Sequence, residues 1–252
     1  MKHYAPSTIL PAVAAGVLFF ILTAGAEPAT AVATNFYSAE TQGRLLAEKI
    51  LQQTPPQNYS NSAVLRVRAS QGGWISHGVT SRAIIANGHW KNIFSSDALK
   101  PTNEIFTVTH TVGQPNTYTH EAVFSASGKM LPSSKTTPFA CSDFWLGDLG
   151  LDFFHWPEQR ILKKEFHRNC ACTVLESVNS GSEKNAYSRI VSWIDNDSLG
   201  IVEAYGYDGA GKLLKEFTPK SFKKVNGRWE IKEIEIRNVQ TGSRTRLEFD
   251  LK

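Results

Sequence analysis

Seven histidines, His3, His77, His89, His110, His120, His155 and His167, are the first candidates for metal or acid–base chemistry. No two stand in the His-x-x-x-His or His-Glu-x-x-His spacing that sets two imidazoles on one helix face, so a zinc site finds weak support. His110 and His120 could face each other across a hairpin, but cross-strand polar pairs are ordinarily surface pairs. Cys170 and Cys172 share a face if they lie on a strand. Positions i and i+2 are then ~6.6 Å apart, and a bridge between them would be strained. In an oxidising compartment one of the two is expected to pair with Cys141 instead. A Cys nucleophile served by His155 or His167 has no pattern that would orient it. The sequence contains no Cys-x-x-Cys pair, no Gly-x-Ser-x-Gly elbow and no Gly-rich phosphate loop. Asp143, Asp148 and Asp152 are spaced near one helical turn. They either hold a hard cation or cap and solvate their segment.

Those carboxylates lie in the stretch least like the rest of the chain, residues 139–157. It is dense in Phe, Trp and Leu, shows no clean strand period, and is broken by Gly147 and Gly150. Each large apolar side chain left in water forgoes ~1.5–3 kcal/mol, so the segment must fold back onto an apolar surface. It is either a lid over a ligand groove or a core plug.

The elements that must present such a surface are strands. Ala63, Leu65, Val67 and Ala69 alternate with Arg66, Arg68 and Ser70, and Leu247, Phe249 and Leu251 alternate with Arg246, Glu248 and Asp250. Residues 106–112 and 117–125 repeat the pattern. Period-two alternation buries one face of an antiparallel sheet. Turn signals at Gln71-Gly72-Gly73, Asn87-Gly88, Ser127-Gly128, Gly209-Ala210-Gly211, Asn226-Gly227 and Thr241-Gly242 punctuate roughly ten strands. A meander of that size curls or closes. Trp229 and Ile231 are odd while Ile234 and Ile236 are even. A bulge near Lys232-Glu233 would restore one face and bend the strand. A single amphipathic helix is expected at 38–53, capped by Ser38, with Leu45, Leu46, Ile50 and Leu51 as its stripe and Pro55-Pro56 beyond its end.

At 252 residues with 41% hydrophobic and 20% charged side chains, the chain is globular rather than disordered. Three cysteines cannot staple this length. A net charge of +4 without a concentrated basic patch argues against nucleic acid as a partner. The densest basic run, Lys212, Lys215, Lys220, Lys223 and Lys224 with Arg228 nearby, reads as a solvated hairpin face or as a surface for anionic headgroups. Lys2 and His3, the apolar run centred on 12–22, and the small residues Ala24-Gly25-Ala26 and Ala29-Thr30-Ala31 form a secretory signal pattern over residues 1–31. The competing reading is an uncleaved membrane anchor. Residues 32–252 then make one domain.

Several segments carry a resemblance in order along residues 60–251. They are Ser142-Asp143-Phe144 with Asp148-Leu149, Cys172-Thr173-Val174-Leu175-Glu176, Trp193-Ile194-Asp195, Tyr205-Gly206-Tyr207-Asp208 with Gly211-Lys212, Trp229, and Thr241-Gly242-Ser243-Arg244-Thr245. Together they resemble bacterial outer-membrane lipoprotein-sorting proteins, relatives of the LolA and LolB carriers. Trp145-Leu146-Gly147 stands where that family has a polar linker. The resemblance implies a mainly β fold with one or more helices, a single antiparallel, strongly curved unclosed β-barrel whose apolar interior shelters acyl chains in the periplasm. It implies a carrier or chaperone without enzymatic activity, metal or cofactor, with a lipid or lipidated protein as ligand. An inner-membrane transporter and an outer-membrane acceptor would be its partners. The expected ligand-binding residues are Phe144, Trp145, Leu146, Leu149, Leu151, Phe153, Phe154 and Trp156. The alternative on the same fold is a periplasmic sensor of a lipoprotein or acyl ligand that regulates an envelope pathway through a protein partner.

Overall fold

The computed structural model describes residues 37–98, 103–124, 127–181, 186–225 and 228–251. The signal pattern at 1–31 and the Asn226-Gly227 turn lie outside them. A helix, α1 (Ala39–Leu51), precedes six strands: β1 (Tyr59–Arg68), β2 (Trp74–Ala86), β3 (His89–Ser96), β4 (Asn103–Thr111), β5 (Thr117–Phe124) and β6 (Ser127–Met130). A long connection holds the four-residue helix α2 (Leu146–Leu149) and a 3-10 turn (Asp152–His155). Seven strands follow: β7 (Glu158–His167), β8 (Cys170–Val178), β9 (Arg189–Asp195), β10 (Ile201–Tyr207), β11 (Leu213–Val225), β12 (Arg228–Asn238) and β13 (Arg244–Phe249).

Among the described residues the thirteen strands form one antiparallel sheet in the order β6-β5-β4-β3-β2-β1-β13-β12-β11-β10-β9-β8-β7. Two meanders are thus joined where β1 pairs with β13, Leu65 opposite Leu247. β6 and β7 are the two edges, so the sheet is curved but not closed into a barrel. Its curvature follows from what one short segment reaches. The Ala140 N–H donates to Glu104 on β4 at 2.9 Å, while Lys215 on β11 donates to the Asp143 carbonyl at 2.6 Å. Six strand spacings separate β4 from β11 in the order, about 29 Å if the sheet were flat. Residues 140–143 cannot span that gap, so the sheet must wrap around them.

The alternation in β1 and β13 survives as buried Ala63, Leu65, Thr245, Leu247 and Phe249. The parity break in β12 is a register shift. Glu233 pairs with Ser221, and Ile231 pairs with the adjacent Phe222. Both Ile231 and Ile234 therefore enter the same core. The count of strands exceeds the ten expected because β3, β6 and β7 hide their pattern. β3 turns Asn92 and Ser96 inward beside Phe94, β6 has four residues, and β7 is a largely exposed edge with its own register shift between Ile161 and Lys163. Ser127 and Gly128 belong to β6 rather than to a turn.

Ser38 caps α1 by accepting from the Thr41 N–H at 3.2 Å. The helix lies against the edge strand β7. Gly43 makes that approach possible, because a Cβ there would sit 2.6 Å from the backbone of Gln159 and Arg160. The helix thereby covers the first half of an edge that would otherwise be open to another chain.

Candidate ligand-binding site

The connection from 138 to 156 lies on the concave side as a plug. Pro138 and Trp145 form an isolated bridge, and the Phe139 N–H donates to the Phe144 carbonyl at 2.7 Å. Ala140, Cys141 and Leu151 adopt left-handed φ of 51°, 54° and 51°, a region that side-chain-bearing residues rarely occupy. Phe139, Phe144, Leu146, Leu149, Phe153 and Phe154 are buried in one cluster with Leu65, Phe94 and Phe106 from one meander and Leu175, Ile190 and Ile234 from the other. Phe139 meets Phe106 edge-on, ring centres 5.2 Å apart.

Polar hooks hold the plug to the sheet. The Asp143 carboxylate accepts from Ser243 Oγ (2.6 Å) and Thr245 Oγ1 (2.9 Å). Asp148 accepts from Tyr187 Oη (3.0 Å) and from the Trp145 N–H (2.8 Å). Asp152 accepts from Tyr118 Oη (3.0 Å) and pairs with Lys135 Nζ (2.8 Å). Gln159 Nε2 donates to the carbonyls of Phe153 (2.8 Å) and Trp156 (3.0 Å). Glu104, which takes the Ala140 N–H, also pairs with His120 Nε2 at 2.9 Å, and burial pushes its carboxyl up from the usual range.

Lys215 is the central latch. Its ammonium is 3% exposed, lies 3.3 Å from the Trp145 ring centre and 3.4 Å from Asp148 Oδ2, and bonds the Asp143 carbonyl. Burial lowers its pKa to about 8, with Asp148 pulling the other way. Beside it the Tyr187 ring packs against the backbone of β10, where a Cβ at Gly206 would meet that ring at 2.5 Å. Burial and the neighbouring Asp148 hold the Tyr187 phenol well above its ordinary range, so it stays a donor.

Space under the plug is small. Gaps of about 30 Å³ beside Leu151, Phe153, Ile190 and Lys215, and about 60 Å³ beside Leu149, Leu151, Phe154 and Leu199, hold a few waters and no alkyl chain. Two wider clefts flank it. One of about 540 Å³ lies between α1, the β4–β5 connection and the 3-10 turn. The other, about 370 Å³, lies between α2, Lys135 and Tyr187.

The eight expected ligand-binding residues separate by position. Trp145, Leu149, Leu151, Phe153, Phe154 and Trp156 border one or more of these spaces. Phe144 and Leu146 border none of the four and are packed on all sides. The three aspartates neither converge on a cation nor face solvent. Each is a hook with its own partners, Asp143 and Asp152 buried and Asp148 nearly so, and no group of three metal-ligating side chains occurs among the described residues. The expected Cys141 bridge is absent, and all three cysteines are free. Cys141 adjoins the Glu104 contact, whereas Cys170 and Cys172 share the outer face of β8 with Glu176, away from the plug. His110 does not face His120, because the register sets His120 opposite Phe106 and stacks His110 on Trp90. The lysine run is not one face either. Lys215 points inward, and Lys220 pairs with Glu235. Glu104, Lys215, Tyr187 and Asn116 escape a reading of the sequence, since alternation defines two faces without saying which is concave.

This fold, one curved antiparallel sheet left unclosed, is similar to that of three solved structures. A DUF1329 family protein from Desulfovibrio piger matches with a TM-score of 0.69 at 19% identity, over 85% of this chain and 92% of that one. A candidate outer membrane lipoprotein-sorting protein domain from Vibrio parahaemolyticus gives 0.68 at 20% identity, over 83% and 91%. A LolA superfamily protein from Nitrosomonas europaea gives 0.59 at 13% identity, over 85% and 92%. No curated protein matches the sequence. The family described as "Uncharacterized protein" matches residues 106–251, more than half of the chain, and the chain belongs to that family.

Proposed function

We propose that the protein is a non-enzymatic carrier of the bacterial envelope that shelters the acyl chains of a lipid or lipoprotein in its half-barrel, working in the periplasm. The observation that carries this reading is the plug. A separate segment fills an apolar hollow with its own side chains and is tied to the walls by side-chain hooks rather than by strand pairing. Such a segment can leave without dismantling the sheet.

The energies favour exchange over irreversible capture. Six buried plug side chains, Phe139, Phe144, Leu146, Leu149, Phe153 and Phe154, stand for about 9–18 kcal/mol of apolar burial at ~1.5–3 kcal/mol each. An acyl chain of ordinary length, at ~0.8 kcal/mol per CH₂, offers about 12 kcal/mol in return. A ligand that replaces the plug therefore gains little net, which suits a protein that must also release it. The eight aromatic and leucine positions from Phe144 to Trp156 are the proposed contacts, six through the faces they turn to the spaces around the plug and Phe144 and Leu146 only once the plug has moved. An inner-membrane donor and an outer-membrane acceptor would complete the route. The shared fold supports this reading, as does the description of the Vibrio protein as an outer membrane lipoprotein-sorting domain.

Mass spectrometry of lipids that copurify with the protein tests it. The expected result is a defined set of acylated molecules at near one per chain. Lipid-free protein that also fails to take up a fluorescent fatty-acid probe would overturn the proposal.

A further inference from the structure

The wide cleft beside α1 has a polar end that the plug leaves incompletely satisfied. Asn116, 7% exposed, sits in the β4–β5 connection. Its Nδ2 donates to the Gly150 carbonyl of the plug at 2.7 Å, which fixes the amide orientation and leaves Oδ1 buried without a hydrogen-bond partner. Next to it His110 stacks on Trp90, ring centres 3.8 Å apart, with its Nε2 also buried and unpartnered. His155, on the 3-10 turn of the plug, has the same deficit at Nε2. All of them border the same cleft of about 540 Å³. The His110 ring and the Asn116 amide act on each other without reaching hydrogen-bond geometry at these atoms, and a buried polar atom left so costs ~1–3 kcal/mol.

Withdrawal of the plug sharpens the deficit. The Gly150 carbonyl and His155 leave with it, and Asn116 is left offering a donor and an acceptor side by side at the mouth of an apolar hollow. His110 stands next to it on the sheet. Burial, with His155 nearby, lowers the His110 pKa to about 4 against the pull of the Asn116 amide, and burial lowers that of His155 as well. Both rings are neutral near pH 7. The charged groups at the rim, Arg44 and Glu48, are opposite in sign and one turn apart on α1. The cleft thus carries little net charge.

Resting on the carrier reading above, we infer that Asn116 and His110 form a head-group site at the mouth of the hollow, selective for an acylated ligand whose head is uncharged and both donates and accepts hydrogen bonds, an amide or a hydroxyl. A carboxylate or phosphate head would bring a charge into a cleft where Arg44 is offset by Glu48, and would present Asn116 Oδ1 with no donor.

The test is displacement of a fluorescent alkyl probe from the full chain by 1-monolauroylglycerol, laurate and monolauryl phosphate. The expected result is that the monoacylglycerol competes at about tenfold lower concentration than either anion. That ratio should fall to about one in His110→Phe, which keeps the stack on Trp90, and in Asn116→Leu. Equal potency of the three competitors on the native protein would overturn the head-group site, as would a preference that persists in whichever variant folds. Failure of the probe itself to bind would instead sink the carrier reading, and the two failures are told apart by the probe signal alone.

Discussion

Lys215 shows how one side chain ties the cover to its wall. A lone ammonium buried in an apolar hollow is costly, and this one is retained by Asp148, the Asp143 carbonyl and the Trp145 ring. Its folded-state pKa, about 8, lies below the 10.5 of a free lysine. Between those values the unfolded chain holds the proton more firmly, so this group makes stability rise as pH climbs from about 8 towards 10.5. Below pH 8 both states carry the ammonium and the full burial cost is felt. The unfolding free energy of the native protein minus that of Lys215→Met should therefore increase between pH 8 and 10, by up to ~1.4 kcal/mol per pH unit. Tyr118 and Tyr187, whose phenols burial holds above their ordinary range, act in both proteins and drop out of the difference. Parallel pH profiles in denaturant titrations would show that Lys215 is not the latch. None of this was legible in the sequence. Lys215 stands among four other lysines, and its partners in the plug lie about seventy residues away along the chain.

Elements were more readable than contacts. The Ser38 cap, the alternation of β1 and β13 and the parity break between Ile231 and Ile234 all follow from local rules, and each appears in the structure. The plug announced itself by composition, because so many aromatic side chains without a strand period must find an apolar surface. What local rules could not supply was the placement of α1. Its docking on β7 depends on one residue without a side chain. Gly43→Ala puts a methyl group 2.6 Å from the β7 backbone and must push the helix away. The expected loss is about 1–3 kcal/mol of stability, the usual penalty for overpacking. A stability within 0.5 kcal/mol of the native protein, read from chemical denaturation, would mean that the helix is not held there.

At the scale of the whole molecule, the sheet is a wall and the connection between its two edge strands is the content. The number of strands predicts curvature, but not what fills it. That depends on a 27-residue stretch between β6 and β7 folding inward. The account stands or falls on whether this stretch gives way to a ligand. Hydrogen–deuterium exchange of the 138–156 amides, with and without a saturating acyl ligand, asks that directly. Their protection should fall when ligand binds, while the paired strands β1, β12 and β13 keep theirs. Saturation with ligand that leaves plug protection unchanged would contradict the claim that the plug holds the ligand's place.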